Sequence, residues 1–230
     1  MRKPKTNDEN AQSASPIVQV KITPPNIQHA AFKLLGLGPM AVNRFSEKAQ
    51  RGMEETQRAG KTSQSKKKRE PKQFEELFEA ARYQAAEGWD GIHAAALRNA
   101  MISACSIVDF KMTRAKKGIF IKPEGFDAQD GTPLIRIWGP PPVMWIAPVR
   151  NADGSFDLRP RPRWDEWELH PHIEYDADMF TLSDITNLVM RVGFQVGLGE
   201  GRPDSKRSAG IDYGHFRIDS ESDRKGDKAA

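Results

Sequence analysis

The sequence predicts an α+β fold built as a single domain. Two kinds of segment interleave along it. Alternating β-branched and polar residues occur at 17–23 and 167–175, and apolar residues at helical spacing occur at 92–108 and 181–192. Size is the third observation: 230 residues, 38% of them hydrophobic, supply one sizeable core or one core with long insertions, but not comfortably two. Charged residues make up 29% and the net charge is +4, an excess that permits contact with phosphate and leaves the placement of the charges to decide. Cys105 is the one cysteine, which excludes an intramolecular disulfide, and excludes a cysteine zinc site unless histidines complete it. Its apolar neighbours make it a small buried hydrophobe. Basic positions 1–5 lead into polar residues, and no stretch approaches the roughly 18 to 20 apolar residues of a membrane span, so the chain reads as cytoplasmic with no membrane partner.

In chain order, polar residues 1–15 are expected as a disordered leader. Ile17-Val18-Gln19-Val20-Lys21-Ile22-Thr23 reads as the first strand, stopped by Pro24-Pro25, which cannot continue a ladder. Met40, Val42, Phe45, Ala49 and Met53 space a helix over 40–59, ended by Gly60. Positions 61–72 hold six basic residues, one acid and nothing apolar, and read as a mobile basic loop. Phe74, Leu77, Phe78 and Tyr83 mark a helix over 73–86, broken at Gly88-Trp89-Asp90-Gly91. The strongest helix, 92–108, stacks Ile92, Ala96, Leu97, Ala100, Met101, Ala104 and Cys105 and turns Arg98 and Asn99 elsewhere. Strands are expected at 110–112 and 119–121, and 111–122 carries five basic residues and no acid.

Proline recurs through 123–163 (Pro133, Pro140, Pro141, Pro142, Pro148, Pro160, Pro162), which reads as an elaborated β-hairpin arm of the kind that faces partners. Trp167, Leu169, Ile173 and Tyr175 share one face of a strand, where Pro171 points to an edge or a bulge. Thr181 is a natural N-cap with Asp184 three positions on; Leu182, Ile185, Leu188, Val189 and Val192 form the buried stripe and Gly193 the stop. An arc of glycines and bases then leads to a closing strand at 213–218. Gly197-Leu198-Gly199 follows a helix and does not open one, so it is no dinucleotide fingerprint, and no P-loop spacing occurs. The order strand, helix, two strands, helix, strand is the ferredoxin-like (RRM-like) βαββαβ plan, an antiparallel sheet with helices on one face. A single domain over 16–218 would carry insertions at about 24–90 and 123–163, with a flexible tail at 219–230.

Lys206-Arg207-Ser208-Ala209-Gly210-Ile211-Asp212-Tyr213-Gly214-His215-Phe216 resembles the Ser-x-Gly-x-Gly-like turn that ends the glycine-rich loop of the RAMP superfamily, the modified RNA-recognition folds that build CRISPR effector complexes; here extra residues precede Gly214. Gly91-Ile92-His93-Ala94-Ala95-Ala96-Leu97-Arg98 is similar to that family's first-helix phrase Ile-Pro-x-x-x-Leu-Arg, with His93 in place of the proline. The resemblance implies single-stranded RNA binding and assembly side by side along the strand. The chain also looks like proteins of tailed bacteriophages, which implies a phage source and a bacterial host cytoplasm. No aromatic pair of the RNA-recognition type is evident on the first strand.

These residues together predict a non-catalytic protein that binds single-stranded nucleic acid, RNA favoured over DNA, as a homo-oligomer or as a subunit of a larger complex. Its expected contacts are Arg98; Lys111, Arg114, Lys116 and Lys117; Gly199, Gly201, Arg202, Lys206 and Arg207 of the glycine arc; Tyr213 for stacking; and Lys66, Lys67, Lys68 and Arg69 of the basic loop. Lysine and arginine neutralise phosphate, glycine lets a ligand backbone approach, and an aromatic ring stacks on a base. No cofactor or metal is expected. His170 and His172 share a strand face without an obvious third ligand, and Asp127 with Asp130, or Asp176 with Asp178, read as turn caps. His93 is nearest to the position from which some RAMP relatives cleave RNA, yet no nucleophile–base arrangement is visible. Two alternatives stand beside this reading: a phage structural or assembly protein, and an antagonist that mimics or binds a CRISPR effector subunit.

Overall fold

The computed structural model describes residues 22–44, 54–55, 57–58, 73–150, 154–205 and 210–219. They form a mixed α+β fold in which four α-helices accompany antiparallel sheets. Its spine is a pair of bent strands. β1 (Ile27–Ala31) and β2 (Leu34–Gly36) run antiparallel to β12 (His172–Asp176) and β11 (Glu168–Leu169). Ile27 faces Asp176, Ala31 faces His172 and Leu34 faces Leu169, so one register passes through both pairs. The ladder is interrupted where Pro171 lacks an N–H, although its carbonyl still accepts from the Phe32 N–H at 3.2 Å. The expected bulge at Pro171 is therefore corrected, because a bulge would have moved the register by one. The proline itself lies between β11 and β12, in neither strand, where the partner on the far side changes from β8 to β6.

β13 (Phe216–Ile218) pairs with β2 on one side of this spine. On the other side β6 (Ile119–Lys122) pairs with β12, and β8 (Pro133–Trp138) pairs with β11. Beyond β8 lie β5 (Asp90–His93) and β4 (Tyr83–Gln84), while β7 (Gly125–Phe126) joins the other edge of β8. Leu34, Ile119, Ile135, Ile137, Leu169 and Ile173 point to one face, where α2 (Ala94–Ala104) and α4 (Leu182–Arg191) close a single core with Leu97, Met101, Ile185 and Val189. The small side chains Ala94, Ala100 and Ala104 are buried, which allows α2 to lie close to the sheet. Cys105 is buried there too, and burial raises its thiol pKa.

A second sheet joins β3 (Met40–Ala41) to a long hairpin of β10 (Phe156–Trp164) and β9 (Val143–Arg150). α1 (Phe74–Ala80) packs against β10. Arg44, 3% exposed, reaches from the chain after β3 to Asp127 and Asp130, each at 3.1 Å. That pair of carboxylates is thus spent on tying the turn after β7 to the chain that follows β3.

Several local expectations are corrected. Ile22 and Thr23 lie outside any strand, and among the described residues the first strand begins after Pro24-Pro25; positions 17–21 lie outside the description. Met40 and Ala41 are strand rather than helix, and of the remainder of 40–59, residues 54–55 and 57–58 are helical while 45–53, 56 and 59 lie outside the description. Tyr83 belongs to a strand, because the helix before it stops at Ala80. Ile92 and His93 belong to β5, where pairing with Ile135 and Leu134 outcompetes one more helical turn. In place of a strand at 110–112, a helix, α3 (Met112–Gly118), buries Ala115 and Gly118 and turns its bases outward. Leu182 is exposed rather than part of the α4 stripe. Gly193 does not stop α4; the chain continues through a π-helical turn over Val192–Val196, and a Cβ at Gly193 would lie 2.2 Å from the Phe216 carbonyl oxygen. Its bareness serves the approach of β13.

Candidate nucleic-acid interface

The glycine arc is tightly integrated with the fold. The Leu198 N–H donates to the Gly214 carbonyl, the Gly214 N–H to Pro39, the Glu200 N–H to Ala41 and the Ile211 N–H to Gly201. Gly199 has φ +77°, and a Cβ there would lie 2.3 Å from the Ala41 carbonyl oxygen. Gly201 has φ +82° and faces the side chain of Ile211. These four amides are spent on the protein's own carbonyls, whereas the N–H groups of Gly199, Gly201 and Arg202 make no backbone–backbone hydrogen bond among the described residues. Arg202 also donates to the Gly199 carbonyl at 2.9 Å. Tyr213 packs against Trp145 of the hairpin, ring centroids 5.3 Å apart. Lys206 and Arg207 lie outside the described residues, as do Lys66, Lys67, Lys68 and Arg69.

The other expected bases group around the β6 edge. Lys111, Arg114, Lys116 and Lys117 are exposed on and beside α3. Arg98 donates to the carbonyls of Ile119 at 2.7 Å and Lys116 at 2.5 Å, which anchors the end of α3, while its guanidinium lies 4.8 Å from the centroid of the Phe120 ring. Phe120 is 48% exposed and stands on the sheet face opposite α2 and α4.

That face, covered over Leu134 but accessible at Phe120 and Trp138, carries residues that the sequence did not single out for binding. On β8, Ile135 and Ile137 enter the core, so Arg136 and Trp138 alternate to the other side. The Arg136 guanidinium stacks 3.7 Å from the Trp138 ring centroid, and Trp138 in turn stacks on His170 at 5.5 Å and 23°. Trp89 lies against Gly91 and Gly125, where added Cβ atoms would fall 3.1 and 2.5 Å from its indole, and Arg136 is 5.9 Å from the Trp89 ring. Two bare glycines thus make the seat for this ring. His172 pairs with Lys122, and Glu174 with Phe120. Lys122 and Arg136 form no ion pair among the described residues, whereas the acids are engaged. Glu168 binds Lys33 at 2.9 Å, Glu174 lies 3.7 Å from His29, and Glu124 accepts the Arg136 backbone N–H. Burial raises the Glu124 pKa above the usual carboxylate range, against the pull of that N–H and of His170, His172 and Arg136. Of the two histidines, His170 stacks on Trp138, and no group of three His, Cys, Asp or Glu side chains that could hold a metal ion occurs among the described residues.

A cleft of about 350 Å³ separates the N-terminal half of α2 from the glycine arc. It brings together the two segments that carried the resemblance, with His93 and Asn99 on one wall and Gly199 and Arg202 on the other. His93 caps α2, its Nδ1 accepting the Ala95 N–H at 3.0 Å, and burial lowers its pKa. No protein-family model matches the chain, and no curated protein matches its sequence. No helix among the described residues is long and apolar enough to cross a membrane.

Proposed function

We propose that this chain is a non-catalytic protein that binds single-stranded nucleic acid, RNA in preference to DNA, on the open face of a ferredoxin-like sheet. The carrying observation is the cluster of Trp89, Arg136, Trp138 and His170, continued by Lys122, Phe120 and Arg98 toward the bases of α3. Phe120 and Trp138 are exposed and Trp89 and His170 half-buried, and rings interleaved with cations are what a single strand requires: rings stack on bases whatever their sequence, and cations follow the phosphates. Two antiparallel orders, β1-β12-β6 and β13-β2-β11-β8, linked by the common register of β1 and β2 against β12 and β11, support the ferredoxin-like assignment, because taken together they follow the order that two βαβ crossovers produce around a shared core. Preference for RNA and side-by-side assembly along the strand rest on the resemblance to RAMP proteins, and a phage source rests on the likeness to proteins of tailed bacteriophages.

The glycine arc contributes fewer amides in this proposal than the sequence suggested, since those of Leu198, Glu200, Ile211 and Gly214 already have acceptors, while those of Gly199, Gly201 and Arg202 remain for phosphate. The test is a salt titration of binding to labelled single strands. Affinity should fall steeply and linearly in a log–log plot, with a slope near −0.7 per phosphate contacted. Salt-insensitive or absent binding, together with homo-oligomers formed without nucleic acid, would favour the structural or assembly reading instead. One observation favours that second reading: Met144, Ile146, Phe156 and Leu158 leave apolar surface exposed on the projecting hairpin.

A further inference from the structure

We infer that the cleft between α2 and the glycine arc is a binding pocket for a single nucleobase, separate from the open sheet face. Val42, Ile92, Ala100, Val196 and Leu198 give it aliphatic walls, as a planar ring requires. Its volume of about 350 Å³ lies at the small end of ligand pockets, which span about 300 to 1,000 Å³, and suits one ring system with its sugar.

The polar lining selects against charge and for a hydrogen-bonding edge. Three ionised groups reach the cleft, and each is engaged: Glu200 by Arg161 at 2.7 Å, Asp204 by the Ser103 hydroxyl at 2.5 Å, and Arg202 by the Gly199 carbonyl. Two acids against one base make the lining a poor host for phosphate. The groups left over are neutral. Among the described residues, the amides of Asn43 and Asn99 and the Tyr83 hydroxyl make no hydrogen bond, and all three side chains line the cleft. Because His93 Nδ1 accepts from Ala95, the proton of the neutral ring sits on Nε2, which becomes a fixed donor. Amide, hydroxyl and imidazole N–H together offer both donors and acceptors, the complement of a base edge. A free amino acid or a phosphorylated metabolite would bring charges that find no free counter-ion here.

This inference shares its ligand class with the proposed function, and the experiment separates the two. Free adenosine, guanosine, cytidine and uridine are titrated into the full chain by calorimetry, alongside a labelled single-stranded oligonucleotide. At least one nucleoside should saturate. Asn99→Ala, an exposed position, should weaken it by about 10-fold, and Ala96→Leu, which fills the slot, by more, with salt-dependent oligonucleotide binding at the open face retained. Competition between nucleoside and oligonucleotide would identify the ligand as a base of the bound strand; saturation without competition would identify a free nucleoside. If no nucleoside saturates up to about 10 mM while the oligonucleotide binds, the pocket is refuted and the open-face reading survives. Nucleoside binding that both substitutions leave unchanged would refute it as well. Loss of both kinds of binding in the unmodified chain would refute both readings.

Discussion

Thr181 and Asp184 form a reciprocal cap at the start of α4. The Asp184 N–H donates to the Thr181 hydroxyl at 3.1 Å, while the Thr181 N–H and hydroxyl donate back to the Asp184 carboxylate at 2.8 and 2.7 Å. Thr181→Ala should lower stability by about 1 kcal/mol in urea unfolding, since two orphan donors lose their partner geometry. The Thr181 backbone N–H, then its hydroxyl, hold the Asp184 carboxyl below its ordinary range. The native state thus favours the ionised form. Its contribution is complete above the ordinary aspartate value and disappears as pH falls through the lowered one. Asp184→Asn should therefore be less stable than the parent at pH near 7, with the gap closing as pH falls below the ordinary aspartate value and through the lowered one, as urea midpoints across that range would report. This cap was legible in the sequence because both partners lie within one turn. Trp89, Arg136, Trp138 and His170 were not, because they come from separate segments and meet only when β5, β8 and β11 pair. Alternation along β8 revealed its core residues, but nothing local says what lies beside the outward ones.

At the scale of elements, close approach governs where the glycines fall. Gly214 has φ +76°, and a Cβ there would lie 1.9 Å from the Leu198 carbonyl oxygen, so Gly214→Ala has to displace backbone. Gly88 has φ +84° with open space around it. Gly88→Ala should cost about 1 to 2 kcal/mol for the left-handed conformation alone, and Gly214→Ala clearly more, as paired thermal melts would show. Equal costs would mean that the arc can move away from β13 and the chain around Pro39. The sequence displayed these glycines plainly, yet composition cannot distinguish a loop open to a ligand from one closed on its own backbone. Helix limits were misread for a related reason. Ile92 is buried whether it begins a helix or ends a strand, and periodicity alone does not separate the two. α3 was hidden because its buried side consists of Ala115 and Gly118, too small to register as an apolar stripe.

At the scale of the described molecule, α2 and α4 cover one face of the spine, and rings and cations lie on the other, joined at the β6 edge through Arg98 and Phe120. The apolar alternation at 167–175 and the helical stripes at 92–108 and 181–192 made the α+β class readable, while the position of Pro171 between β11 and β12 depended on neighbours remote in sequence. The measurement that reaches the central claim most directly is fluorescence anisotropy of a labelled single-stranded RNA with the parent chain and with Trp138→Ala, at fixed salt, with folding checked by circular dichroism. Loss of one stacking ring worth about 1 to 3 kcal/mol predicts affinity lower by about 5- to 150-fold at unchanged fold. Equal affinity in a folded Trp138→Ala protein would contradict the open face as the binding surface.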